Sequence, residues 1–197
     1  MVPSPYLVAP GKKFKLSDCP TDDTGPFKDK HDARRPTADN LKKLDQLQEV
    51  LYAQAKHALL IVFQAMDGGG KDGAISHVFR GVNPQGCSVA SFKVPTPLES
   101  AHDFLWRIHA ATPSRGMIGI FNRSHYESVL VERVKDLTPE KVWSKRYTTS
   151  ITSRKCWLMR ERRSLSSFCT FLGTSKKPAW KSDWPIRPKT GSSARRI

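Results

Sequence analysis

Three consecutive glycines and a lysine, Gly68, Gly69, Gly70 and Lys71, stand just after the apolar run ALLIVFQA. Glycines at such a place let the backbone bend until several N–H groups converge on one anion. A helix starting next presents its positive end to the same point. A lysine there reaches the terminal phosphates of a bound polyanion. The chemistry indicated is phosphate binding, and the competing reading is a tight turn with a solvated lysine. The match to G-x-x-x-x-G-K-[ST] is incomplete, because Ala65 replaces the first glycine and Asp72 the Ser/Thr that usually touches Mg²⁺. Asp67 and Asp72 are carboxylates, natural ligands for that ion, although Asp72 serves equally well as a helix cap. Gly73 closes the stretch MDGGGKDG.

A second polar cluster follows the apolar run MIGIF, in FNRSHYE. The strand beside a phosphate loop often delivers a polar residue to metal and phosphates. Asn122 and Arg123 occupy that place, and a guanidinium suits phosphate oxygens bidentately. The plainer alternative for Arg123 is a surface arginine at a helix start. The histidines are scattered. His77, His102 and His109 fall in helical stretches and read as packing or surface residues rather than ligands.

The elements that must hold these residues alternate. Residues 1–35 mix Pro, Gly, Lys and Asp and read as an extended arm. Thr37 or Asp39 caps a helix to about Lys56, with Leu41, Leu44, Leu47 and Leu51 as its apolar stripe. ALLIVFQA suits a parallel strand buried on both faces. A helix from about Gly70 to Phe79, a strand CSVASF and a helix LESAHDFLWRIHAA follow, the last with Leu98, Ala101, Leu105 and Ile108 on one face. MIGIF is a third strand, SHYESVLVERV a further helix, and TPEKVW can open one more. The pattern predicts an α/β fold, a parallel sheet with helices on both faces.

Composition sets bounds. A chain of 197 residues holds one α/β domain and hardly two. Its formal charge of +15 invites a nucleic-acid reading. However, residues 1–147 carry 21 Lys+Arg against 16 Asp+Glu, and residues 148–197 carry 12 against 2. Two-thirds of the excess therefore lies in the last quarter. Cys19, Cys87, Cys156 and Cys169 show no metal or disulfide spacing and read as reduced thiols. No apolar run suits a secretory signal or a membrane span, so a cytoplasmic protein is expected.

The segments LLIVFQAMDGGGKDGAISHVFRGVNPQG, SFKVPTPLESAHDFLWRIH and GMIGIFNRSHYESVLVERV together resemble the polyphosphate kinase 2 family, from about Arg34 to Tyr147. The resemblance implies a P-loop kinase-like fold and Mg²⁺-dependent phosphoryl transfer between inorganic polyphosphate and a nucleotide, with the AMP/ADP branch nearest. Adenine nucleotides (AMP, ADP, ATP) and polyphosphate would be the partners, and an intact parent would be homo-oligomeric. By that likeness Asp67 organises Mg²⁺ and the acceptor phosphate, and Lys71 holds the transferring phosphate. Asn122 and Arg123 form the second phosphate- and metal-contacting motif, although many members carry Asp where Asn122 stands. Glu127 belongs to the nucleotide pocket. Lys93 either guides the polyanion or is a solvated loop lysine.

After Tyr147 the sequence alternates basic, Ser and Trp residues without periodicity. It reads either as a disordered basic extension or as a shifted reading frame. Codons chosen for residues 148–197 and read in the neighbouring frame give a strand pattern, TILKFILHIS, then a charged amphipathic helix like the family's lid. The expectation is a non-native tail over 148–197, a fold lacking its C-terminal strand and lid, and a chain with little activity. Two other functions stay open: an ATP-dependent small-molecule P-loop kinase, and a basic nucleic-acid-binding protein.

Overall fold

The chain is described from a computed structural model, over residues 23–65, 68–134, 139–159 and 162–168. The strand β1 (Ala58–Gln64) is buried along nearly its whole length. It lies inside a four-stranded sheet of order β2-β3-β1-β4, where β2 is Cys87–Ser91, β3 is Ile118–Asn122 and β4 is Arg162–Phe168. Every pairing is parallel, with Leu59 opposite Ile118 and Cys87 opposite the same Ile118. Parallel strands need crossovers, and helices supply them on both faces.

Alternation along β1 and β3 divides the core in two. Leu60, Val62 and Phe121 point to one face, where they meet Phe92, Leu105, Ile108 and Trp157. Ile61, Phe63, Ile118 and Ile120 point to the other, packed by Leu51, Ala74, Ile75 and Phe79. The second layer comes from α1 (Arg34–Gln54) and α2 (Lys71–Val78). Leu105, Ile108 and Trp157 of the first layer belong to or flank α4 (Trp106–Ala110) and α6 (Glu140–Met159).

Several expectations need correction. The α1 stripe runs through Leu41, Leu44, Gln48 and Leu51, while Leu47 is 67% exposed. Gln48 is buried because it lies over Gly86, whose missing side chain leaves the room. A Cβ there would sit 1.6 Å from Gln48 Nε2. The predicted single helix LESAHDFLWRIHAA is two short ones, α3 (Pro97–Ser100) and α4. Thr96 and Glu99 form a reciprocal capping box around α3, and Asp103 Oδ1 accepts from Leu105 N, restarting the chain at a new angle. Leu98 and Ala101 are accordingly exposed.

The C-terminal strand expected to be missing is present. After α5 (Tyr126–Val134), α6 runs unbroken past Tyr147, and β4 pairs with β1 from Ala58↔Arg162 to Gln64↔Phe168. A β ladder is a backbone structure, so Arg- and Ser-rich residues can complete it at the sheet edge. The lid and the rest of the tail, 169–197, lie outside the described residues, as do residues 1–22 of the arm.

Gly119 of β3 faces the Pro113 ring, and a Cβ there would sit 2.8 Å from its Cδ and Cγ. A closed ring on the chain cannot swing away as a Gln amide can. We expect Gly119→Ala to destabilise the protein by roughly 1–3 kcal/mol in a denaturant titration. Gly86→Ala should cost less, since Gln48 can move outward; equal losses would contradict this account.

Candidate phosphate-binding site

The C-terminal ends of β1 and β3 lie side by side, which is where open α/β sheets bind ligands. From β1 the chain enters the glycine turn. Gly68 and Gly70 have φ of 77° and 74°, a left-handed conformation that side chains disfavour. Gly70 is the N-cap of α2 and Lys71 its first residue. The Lys71 side chain is nearly buried, and its ammonium lies 3.6 Å from the exposed Asp72 carboxylate.

From β3 come Asn122 and Arg123. Asn122 Nδ2 donates to Asp72 Oδ1 at 2.6 Å, tying the two motifs together across 50 residues. That hydrogen bond, with the Lys71 charge second, holds the Asp72 carboxyl below the usual carboxylate range. Asn122 Oδ1 is buried without a hydrogen-bond partner among the described residues. Arg123 has φ of 66°, unusual for a residue with a side chain, and its N–H donates to Phe63 O at 2.9 Å. Such strained backbone persists only where neighbours hold it, and it clusters at ligand sites.

The structure therefore brings together Gly68, Gly69, Gly70, Lys71, Asp72, Asn122 and Arg123. Gly73 lies within α2, one residue past Asp72, and a Cβ there would meet nothing within 4 Å. Glu127 Oε1 accepts from Gln64 Nε2, so that carboxylate is anchored to the end of β1. Lys93 is exposed on the loop after β2. Its carbonyl accepts from the Arg107 guanidinium, which also lies against Glu99 and over the Phe92 ring. Asp67 lies outside the described residues. Among the described residues no cluster of three metal-ligating side chains occurs, and no helix is long and apolar enough to cross a membrane. His77, His102 and His109 are exposed, in line with their reading as packing or surface residues.

Three features escaped the sequence reading: the anchoring amide of Gln64, the buried Ser124, and the buried His125. Gln64 ends an apolar run, and Ser124 and His125 sit in a polar stretch whose burial no spacing reports. A polar residue at the end of an otherwise apolar strand, as at Gln64, was the available signal.

Comparison with known proteins places this arrangement. The family model of polyphosphate kinase 2 (PPK2) matches residues 27–167, from ahead of α1 into β4. The chain belongs to the polyphosphate kinase 2 family. Among PPK2 relatives, an AMP/ADP-polyphosphate phosphotransferase of Meiothermus ruber is 53% identical over 143 residues, 72% of this chain and 54% of that one. An ADP-polyphosphate phosphotransferase of Rhodopseudomonas palustris is 47% identical over 129 residues, 66% of this chain and 45% of that one. The crystal structure of Polyphosphate Kinase 2 from Arthrobacter aurescens TC1 superimposes with a TM-score of 0.79 at 33% identity, covering 84% of this chain and 59% of that one. The chain thus spans about half the length of the curated relatives it matches.

The Asp72–Asn122 pair makes a prediction. Asn122→Asp replaces a donor by a second carboxylate beside the first, and like charges at that range repel. We expect a lower Tm in EDTA and a steeper rise of Tm with Mg²⁺ than in the parent chain, read by differential scanning fluorimetry. A Tm in EDTA equal to the parent's would show that the hydrogen bond does not matter.

Proposed function

We propose that the polyphosphate kinase 2 fold of this chain serves phosphoryl transfer between inorganic polyphosphate and AMP or ADP. The observation that carries the reading is the junction of the two motifs. A lysine almost out of solvent at the start of α2 stands beside Asp72, which is hydrogen-bonded to Asn122 of the neighbouring strand. Transfer of this kind asks a protein for positioning and charge neutralisation rather than a covalent nucleophile. Lys71 and Arg123 neutralise phosphate oxygens, and the glycine turn offers its N–H groups to the same anion. Glu127 orients the nucleotide, and Lys93 attracts the polyanion toward the C-terminal ends of the strands.

Mg²⁺ fits the donor set. Asp72 is a carboxylate kept ionised, and the buried Asn122 Oδ1 is a hard oxygen without a partner among the described residues. Asp67 completes the set by the family resemblance. When bound, the ion would neutralise phosphate charge. The reading extends to a cytoplasmic protein, a homo-oligomeric intact parent and no specific nucleic-acid target.

We further propose that residues 148–197 come from a shifted reading frame. On α6 the residues turned inward after Tyr147 are Ser150, Ser153 and Trp157, whereas Ile151 is 54% exposed. The Ser150 hydroxyl is buried with no partner among the described residues. A helix selected to cover a core places its isoleucine inward and its serines outward. Two buried serines beside an exposed isoleucine, with Trp157 as the apolar side chain turned inward, support a helix whose backbone plan is kept while its side chains are not its own. A tail out of frame would not supply the family's lid, and transfer by this chain should then be slow, since lids exclude water and complete the site.

One assay tests both parts: ATP formation from ADP, Mg²⁺ and polyphosphate, by the 197-residue chain and by a version with the frame restored after Tyr147. The restored version should form ATP, and the chain at least about a hundredfold less. Equal rates would sink the frame proposal. A restored enzyme that phosphorylates only small molecules, and only from ATP, would point to the alternative kinase.

A further inference from the structure

Gln64 is the last residue of β1, four residues before the first glycine of the phosphate turn, and it is buried. Both ends of its amide are engaged. Nε2 donates to Glu127 Oε1, and Oε1 accepts from Ser124 Oγ at 3.2 Å. The Ser124 hydroxyl, wholly buried, in turn accepts from Tyr126 N at 3.2 Å. One residue earlier in each segment, Arg123 N–H donates to Phe63 O, and on the far side Phe92 N–H donates to Asn122 O. The turn 122–127 is thus fastened to both neighbouring strands, and Gln64 supplies its side-chain link to β1.

The chemistry of that link is specific. An aliphatic side chain would leave the Ser124 hydroxyl and a Glu127 oxygen without those partners, and unpaired buried polar atoms are costly. A glutamate would set one carboxylate against another. The residue that most needs the support is Arg123, whose left-handed backbone lies between the two fastened points. Simple packing of a strand end would require none of this polarity.

We infer that Gln64 is a positioning residue: it holds the Arg123 backbone and the Glu127 carboxylate in register with the phosphate turn. This deepens the phosphotransfer reading and rests on it for its functional meaning. The test uses the 197-residue chain with Gln64→Glu, Gln64→Met, Glu127→Gln and the double swap Gln64→Glu/Glu127→Gln. Amide hydrogen exchange over 122–128 and calorimetric titration with Mg·ADP are the two readouts.

Exchange over 122–128 should rise roughly tenfold or more in Gln64→Glu and Gln64→Met, with β1 and the rest of β3 unchanged. The swap rebuilds the chain of bonds with donor and acceptor exchanged, so protection should return to near the parent's. Mg·ADP affinity should fall about tenfold in the Gln64 single variants. Unchanged protection in both of them would overturn the inference. So would a swap no better than Gln64→Glu, or exchange raised equally throughout β1 and β3. Should neither the parent chain nor its frame-restored version bind Mg·ADP, the phosphotransfer reading fails, while the exchange pattern still decides whether Gln64 holds the turn.

Discussion

Lys71→Met, made in the frame-restored protein, is expected to lower polyphosphate-dependent ATP formation by roughly 10²–10³-fold, the scale seen when one preorganised charge-stabilising group is removed from an active site. Methionine keeps an unbranched side chain of nearly the same length and removes the ammonium, with its charge and its N–H donors. The same substitution should not destabilise the fold. Lys71 is only 7% exposed, and its ammonium faces a carboxylate that is itself largely in water. Burying a cation with so little compensation is unfavourable, so an apolar side chain of the same shape should match or raise the Tm. The pair of results is the test. A loss of rate with an unchanged or higher Tm marks a residue kept for its charge. A parallel fall in both would make Lys71 a structural residue and remove the central support for the proposed chemistry.

The sequence carried the layout of this protein unevenly, and the reasons are physical. ALLIVFQA and MIGIF were legible as strands because strands buried on both faces are continuous apolar runs, and they form β1 and β3 with bounds shifted by one residue. The glycine turn and the FNRS segment were legible because each follows such a strand. Their meeting, Asn122 to Asp72, was not, since no local pattern reports which loops a parallel sheet sets side by side. The α1 face was misread because Gln48 is buried only by virtue of Gly86, 38 residues away. Residues 148–168 show the reverse failure. Side-chain periodicity vanished there, yet helix and ladder hydrogen bonds belong to the backbone and persist in α6 and β4. Pattern reading detects which side chains suit a position, and it is silent where an element is held by its neighbours.

His125 gives that mismatch a measurable consequence. The residue begins the last turn before α5 and is 1% exposed, and neither ring nitrogen has a hydrogen-bond partner among the described residues. It lies between Tyr126 and Trp157, with ring centroids at 4.3 and 6.0 Å. Burial, then the Arg154 charge on α6 and His109 at α4, lowers its pKa from 6.5 to about 4. The folded protein therefore holds His125 neutral where the unfolded chain would protonate it. Between pH 6.5 and 4 the unfolded state binds more protons, so stability rises with pH across that window. The contribution is complete above about 6.5 and is lost as the pH falls to 4. Its full size, at 1.36 kcal/mol per pH unit, is roughly 3 kcal/mol, or about 6–12 °C in Tm for a chain of this length. The measurement is Tm from pH 7.5 to 4 for the parent chain and for His125→Phe, which keeps an aromatic ring against Trp157 and has no proton to bind. The variant should be as stable as the parent near neutrality or more so, and its Tm should fall less steeply below pH 6.5. Identical slopes would show that His125 is solvated or paired in solution. That outcome would mean that Trp157 of α6 does not seal His125 against solvent at the start of α5.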